Sequence, residues 1–247
     1  MERRQFLSSA LLLAGSSDAA AASKVDESRA IFVGNTAPHS HRGADGAPAG
    51  VAYEMVSEIA KDLPFTLDPV VAPLVRAFRE LESKGSALIL PPARLPSREH
   101  LLRWVAPLIP VRLMLFARSG SGHDIASIEG ARSLEIGILN APGLQETYRS
   151  AGFQRIKHLA SNEVAIRMLM QEHLPAVLTA DCSVYVALKE VGMARSHIRE
   201  GAVLDDVTLW LVASRSYPDT ELRQWQAAAK KRRPQLARVL ARHVRTA

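Results

Sequence analysis

The run Ala87-Leu88-Ile89-Leu90 is the stretch that most narrows the fold. It is continuously apolar and too short for a helix. The segment before it places Leu74, Phe78 and Leu81 on one helical face, and Gly85 closes that helix. A strand that is apolar on both faces belongs inside a parallel sheet covered by helices. Upstream, Ala30–Gly34 reads as a strand. Residues 35–50 are rich in Gly, Pro, His and Ala and read as a loop. Val51, Met55, Val56 and Ile59 mark an amphipathic helix reaching Lys61, and Phe65–Val71 reads as a strand. The order β-α-β-α-β implies a parallel sheet with right-handed crossovers.

The second half repeats that order. Val111–Ala117 is a longer strand leaving the first unit, followed by a Gly/Ser turn over Ser119–Gly122. Strands are expected at Leu134–Leu139, Arg155–Leu159 and Ala176–Thr179. Helices are expected over Leu144–Ala151, around Val164–Leu169 and around Val184–Val191. Val207–Ala213 is another long strand, suited to pair with Val111–Ala117 as a second crossing. Ser216 is placed to cap a helix over Pro218–Ala229, and Pro234 opens a last helix with Leu236, Val239, Leu240 and Val244 on one face. The expected architecture is α/β, with two αβ lobes joined by two crossing strands. Residues 23–113 and 208–247 form lobe 1, and 114–207 form lobe 2. Ligands of such folds sit at the carboxyl ends of strands facing the cleft.

The first residues read as a targeting segment. Arg3-Arg4-Gln5-Phe6-Leu7 supplies a charged start, Ser9–Ala14 a short apolar stretch, and Ala19–Ala22 small residues for cleavage. RRxFL resembles a twin-arginine export signal; an ordinary secretory signal is the other reading. Either one implies an export signal over residues 1–22, a mature chain starting near Ser23, and a periplasmic location. The apolar stretch is too short for a membrane anchor. The net charge is +6, but the basic residues are scattered, with Lys230-Lys231-Arg232-Arg233 the one run. Without zinc-finger spacing or an aromatic-basic motif, this pattern argues against nucleic acid. That run reads as a solvated face, with docking of a partner as its alternative. Cys182 is the single cysteine, so no internal disulfide can form.

The loop after Leu90, PPARLPSRE, concentrates cations at a strand end. Arg76, Arg94, Arg98 and Arg103 surround it, an arrangement suited to an anion. A planar guanidinium matches a carboxylate bidentately. The bland alternative is a set of solvated loop arginines, and Arg94 and Arg103 suit structural or surface roles. His39-Ser40-His41 with Asp45 could hold a metal, although a solvated polar loop is the simpler reading, and no metal or cofactor is expected. Asp181 can simply end its strand. The sequence shows no motif that would supply a histidine to activate Cys182.

The helix, Gly85, strand, ARLPSR and WVAPL together resemble the extracytoplasmic solute-binding proteins of the polar amino acid type, which have the type II periplasmic binding fold. LEIGILNAPGLQETY and PAVLTAD are similar to that family's second-lobe strand–turn–helix and to its strand ending in a pocket aspartate. The resemblance runs from about Ala30 to Val244. It implies that Arg98 binds the ligand's α-carboxylate and that Asp181 pairs with its α-amino group. It also implies that helix N-terminal amides at the turn Ala141-Pro142-Gly143 hold the carboxylate. That turn lacks the family's small hydroxyl residue, and Pro142 removes one amide donor. Ala37-Pro38-His39 stands where the family offers a stacking aromatic. His39 and Arg94 complete the candidate ligand contacts, with Arg98, Asp181, Ala141 and Gly143.

The expected function is capture of a small, carboxylate-bearing, amino-acid-like solute by hinge closure, as a monomer, for a membrane transporter of the ABC type or a sensor, without catalysis. The alternatives are an accessory protein of a periplasmic complex that binds no soluble ligand, and a cyclic-carboxylate dehydratase using Glu146, His39 or Asp181.

Overall fold

The computed structural model describes residues 28–244, and the expected export signal lies outside the described residues. In chain order the elements are β1 (Ser28–Gly34), β2 (His41–Arg42), β3 (Pro48–Ala49), α1 (Val51–Ala60), β4 (Thr66–Ala72), α2 (Leu74–Lys84) and β5 (Leu88–Leu90). A short 3-10 turn at Pro96–Arg98 leads into β6 (Arg103–Arg118). Then follow α3 (Ile128–Ala131), β7 (Glu135–Leu139), α4 (Leu144–Ser150), β8 (Arg155–Leu159), α5 (Asn162–Met170), β9 (Ala176–Ala180) and α6 (Asp181–Glu190). The chain ends with β10 (Ile198–Ala213), α7 (Asp219–Lys231) and α8 (Arg233–Val244).

Eight strands form one sheet in the order β4-β1-β5-β10-β6-β9-β7-β8. β4, β1 and β5 are parallel in one half, and β8, β7 and β9 in the other, as expected from the apolar runs. The two halves meet at β6 and β10, which pair antiparallel along their length. The end of β10 pairs with β5, while the later part of β6 pairs with β9. This is the two-lobe plan, in which each connecting strand leaves one lobe and enters the other.

Both crossing strands are 16 residues long, well beyond the segments expected from sequence. The added part of β6 contains Pro107 and Pro110, residues that lack the N–H a ladder uses. The structure accommodates them because β9 pairs only with Leu113–Phe116, which leaves the earlier part of β6 bonded on one side. Both prolines are exposed, and the register shifts beside Pro107, where a missing N–H costs little. The polar start of β10, with Glu200, Asp205 and Asp206, hid a strand that has one wet face. A short β2–β3 hairpin lies inside the expected loop. Ser216 does not cap α7. Pro218 occupies the cap position, and the Ser216 hydroxyl donates to the Gly85 carbonyl instead.

α7 and α8 return to the first lobe. Trp225 is fully buried and its indole N–H donates to Tyr217 Oη at 3.2 Å. Within the basic run, Arg232 pairs with Asp62 at 2.5 Å and Lys231 with the same carboxylate at 3.3 Å. Part of that run therefore ties α7 to the end of α1. Among the described residues no helix is long and apolar enough to cross a membrane.

Candidate functional site

The parallel strands of both lobes aim their carboxyl ends at one place. Asn35 and Thr36 follow β1, Pro73 and Leu74 follow β4, and Pro91 follows β5. Asn140 follows β7, Ala160 and Ser161 follow β8, and Ala180 ends β9. All of them line two adjoining cavities between the lobes, an outer one of about 480 Å³ and an inner one of about 70 Å³. Thr36, Leu74 and Leu139 line both. This is the position in which open α/β sheets hold ligands.

Arg98 lines the inner cavity and is 1% exposed. The turn at Pro96–Arg98 carries it inward, with the guanidinium carbon 5.4 Å from the Phe78 ring centroid. Its Nη1 donates to the Ala93 carbonyl at 2.9 Å and its Nε to the Pro142 carbonyl at 2.8 Å, so one side chain touches both lobes. Among the described residues no carboxylate pairs with it. Burial pulls its pKa down to about 10, which leaves it charged at neutral pH. A buried cation with only carbonyl partners lacks the counter-charge that normally compensates desolvation. Gly143 has φ +77°, and a Cβ there would lie 2.9 Å from both Arg98 Cγ and Ser97 Oγ. Glycine is thus required for the turn to approach the arginine.

Ser97 closes the same contact from the other side. Its hydroxyl donates to the Gly143 carbonyl at 2.9 Å and lies 2.9 Å from Thr147 Oγ1. Ala141, Pro142 and Gly143 therefore stand next to Arg98. Ala141 is buried, and Pro142 contributes a carbonyl acceptor rather than an amide donor.

His39 reaches from the first lobe to the start of α6. It is 3% exposed, with Nε2 at 3.4 Å from Cys182 Sγ and 3.3 Å from Ser183 Oγ. Its backbone carbonyl accepts from Ala52 N at 2.8 Å, and a Cβ on Gly50 (φ +104°) would lie 2.6 Å from that oxygen. Burial drives the imidazole down to about 4, opposed by the charge of Asp181. Burial, then Asp181, pushes the Cys182 thiol up to about 12. The fold thus supplies the cysteine with a histidine that no motif announced, but both groups are neutral near pH 7 and form no thiolate–imidazolium pair.

The remaining sequence candidates lie elsewhere. Asp181 takes a hydrogen bond from Arg112 Nε at 3.1 Å and another from Cys182 N at 2.9 Å, so its carboxylate faces β6. Arg94 turns away from the cavities to Glu99. Glu146 lines a separate surface cavity beside His100 and Asp205. Asp45 accepts from Ala47 N, and among the described residues no cluster of three His, Cys, Asp or Glu is arranged to hold a metal.

Sequence reasoning passed over several lining residues. Thr36 Oγ1, His39 Nδ1 and His41 Nδ1 are buried polar atoms without a hydrogen-bond partner, and all belong to one loop at the cavities. Glu163 and Glu190 line the outer cavity. The place of Thr36, just past the end of β1, was the available signal for it. Nothing local marked the glutamates, which come from two helices.

No family model and no curated protein matches the chain. Solved structures do. A histidine kinase sensor domain with similarity to periplasmic binding proteins superposes with a TM-score of 0.77 at 16% identity, covering 87% of this chain and 95% of that one. An ancestral arginine-binding protein bound to arginine gives 0.73 at 13%, covering 87% and 97%. The arginine-, lysine-, histidine-binding protein ArtJ from Geobacillus stearothermophilus gives 0.72 at 14%, covering 87% and 94%. These likenesses establish the type II periplasmic-binding-protein fold.

Proposed function

We propose that this chain is a periplasmic solute-binding protein that captures a small carboxylate-bearing ligand between residues 23–113 with 208–247 and residues 114–207. The observation that carries this reading is Arg98, a buried guanidinium that lines the inner cavity and has carbonyls but no acid for partners. A ligand carboxylate supplies the missing charge. Because Arg98 already spans from Ala93 to Pro142, an anion docked on it contacts both lobes and favours the closed state. Neighbouring folds include amino-acid-binding proteins and a sensor domain, which supports presentation of the closed form to a transporter or a sensor. His39, Ala141 and Gly143 complete the carboxylate end of the site. Asp181 acts through Arg112, and Arg94 stiffens the loop.

A thermal-shift and calorimetric panel of amino acids, organic acids and amines tests this, since binding to the native state raises the melting temperature. The expected result is a carboxylate-bearing hit that disappears in Arg98→Ala. A hit indifferent to that substitution removes Arg98 from the site.

A second reading, an accessory protein that closes without a soluble ligand, is favoured by the direct bonds from Ser97 and Arg98 to Gly143 and Pro142. Silence across the panel together with a stably co-purifying periplasmic partner would support it.

A further inference from the structure

Given the reading that Arg98 takes a carboxylate, we infer that the ligand is not an amino acid. It is a short carboxylate whose second carbon carries a hydroxyl or carbonyl oxygen in place of an ammonium, and Thr36 and His39 meet that oxygen.

The lining of the inner cavity carries the argument. Besides Arg98, its polar side chains are Thr36, His39, Tyr148, Thr179 and Ser183, and the rest are leucine, proline and alanine. None of these is an acid. An α-ammonium sits on the carbon next to the carboxylate, so a ligand held at Arg98 places it in this same space. There it would be a second desolvated cation with no counter-charge. Asp181 does not line this cavity; its carboxylate takes hydrogen bonds from Arg112 Nε at 3.1 Å and Cys182 N at 2.9 Å. Glu163 and Glu190 line the outer cavity alone.

An independent observation points to a ligand oxygen. Thr36 Oγ1 and His39 Nδ1 are buried without a hydrogen-bond partner, and the whole of His39 is 3% exposed. Buried polar atoms of native proteins are rarely left so. Other polar groups of the lining are engaged within the protein. Thr179 Oγ1 donates to Asn162 Oδ1 at 3.0 Å, and Ser183 Oγ lies 3.3 Å from His39 Nε2. With its value near 4 the imidazole is neutral at pH 7. Its Nδ1 therefore offers a proton or a lone pair according to tautomer, and the threonine hydroxyl does either. A ligand hydroxyl satisfies one as donor and the other as acceptor, and a ligand carbonyl accepts from both. The volume sets the length. At about 70 Å³ the inner cavity equals the liquid share of about two waters, at roughly 30 Å³ each, so few atoms fit beyond the carboxylate. The leucine-rich wall suits a methyl group.

Calorimetry on the full mature chain tests the inference with lactate and alanine in both hands, pyruvate and propionate. Lactate and alanine of one hand differ only in hydroxyl for ammonium. The better of lactate and pyruvate should bind at least tenfold more tightly than alanine and at least threefold more tightly than propionate. In Thr36→Val, which keeps the side-chain shape and removes the hydroxyl, the advantage over propionate should fall below twofold. The comparison with alanine needs no variant, so it decides the matter even if Thr36→Val folds poorly. Alanine binding as tightly as lactate and pyruvate, or no advantage of either over propionate, overturns the inference. So does an advantage that survives Thr36→Val, or a failure of both lactate and pyruvate to bind. Amino acid binding that Arg98→Ala abolishes overturns the inference and leaves the Arg98 reading standing. Lactate or pyruvate binding that persists in Arg98→Ala overturns the Arg98 reading itself.

Discussion

Arg94 and Arg98 sit on one short loop and meet opposite fates. Arg94 N donates to the Thr208 carbonyl at 2.9 Å and Ala93 forms an isolated bridge with Leu209, so the start of the loop is pinned to β10, while Arg98 ends the turn at Pro96–Arg98. Arg94 is exposed. Its guanidinium lies about equally over Trp104 and Trp210, with the carbon 5.1 and 4.9 Å from the ring centroids. It meets both oxygens of Glu99, at 2.7 and 3.2 Å. Arg98 is buried in the cleft, beside the Phe78 ring and with carbonyls but no acid for hydrogen-bond partners. An arginine given its acid and its aromatic rings is complete within the protein. One denied an acid while fully desolvated is complete only when something else brings the charge. Composition of the loop cannot separate the two; the turn at Pro96–Arg98, which carries Arg98 inward while Arg94 stays exposed, does.

The largest expected effect sharpens that contrast. Arg98→Ala should weaken carboxylate binding at least ~30-fold, the lower end of what truncating a buried, hydrogen-bonded charge costs. Arg98→Met should bind equally poorly yet retain stability to within about 1 kcal/mol, because a well-packed apolar side chain replaces an uncompensated charge. Calorimetry and urea melts on the two variants check both statements. A melt that collapses in Arg98→Met would make Arg98 a structural latch like Arg94.

Next in size is a pH effect at the inner cavity. The folded value of His39, about 4, lies below the ordinary 6.5, so between those values the native state binds fewer protons than the unfolded chain. Stability is fully present above about pH 6.5 and is lost as pH falls towards 4, by up to about 3 kcal/mol. His39→Leu should flatten that part of the profile in urea melts at pH 7 and 4.5. An unchanged slope would show that the imidazole is not the buried group controlling it.

Arg94→Met should cost about 1 kcal/mol, from two cation–π contacts and one exposed ion pair, and change binding less than twofold. A larger binding loss would erase the distinction between the two arginines. The smallest effect belongs to Glu190. Its folded value of about 7 is above the ordinary 4.5, so its contribution is present below pH 4.5 and lost as pH rises through 7. Glu190→Gln should remove that dependence. The side chain is exposed, and the difference between wild type and variant at pH 5 and 8 should stay under about 1 kcal/mol.

Much of the frame was legible in local pattern. Leu88–Leu90 reads as a strand because a short run apolar on both faces belongs inside a covered sheet, here between parallel β1 and antiparallel β10, and Gly85 closes α2 at φ +72° as a helix stop requires. The crossing strands were legible only at their apolar ends. Pro107 and Asp205 obscured the rest, because their tolerance depends on which side of β6 is paired and which face of β10 is wet. Of the candidates named from sequence, Arg98 and His39 line the inner cavity, and Gly143 lies against Arg98. Arg94 and Asp181 were named too, and their neighbours Glu99 and Arg112 engage them.

What the sequence determined by itself is therefore what short-range chemistry controls: apolar runs, helix faces, glycine stops, and a basic loop at a strand end. Only the tertiary structure decided which arginine turns inward, and that His39 crosses to Ser183. These are relations between segments far apart in the chain. They depend on the path of the loop before β6 and on the approach of the lobes, which local sequence does not encode.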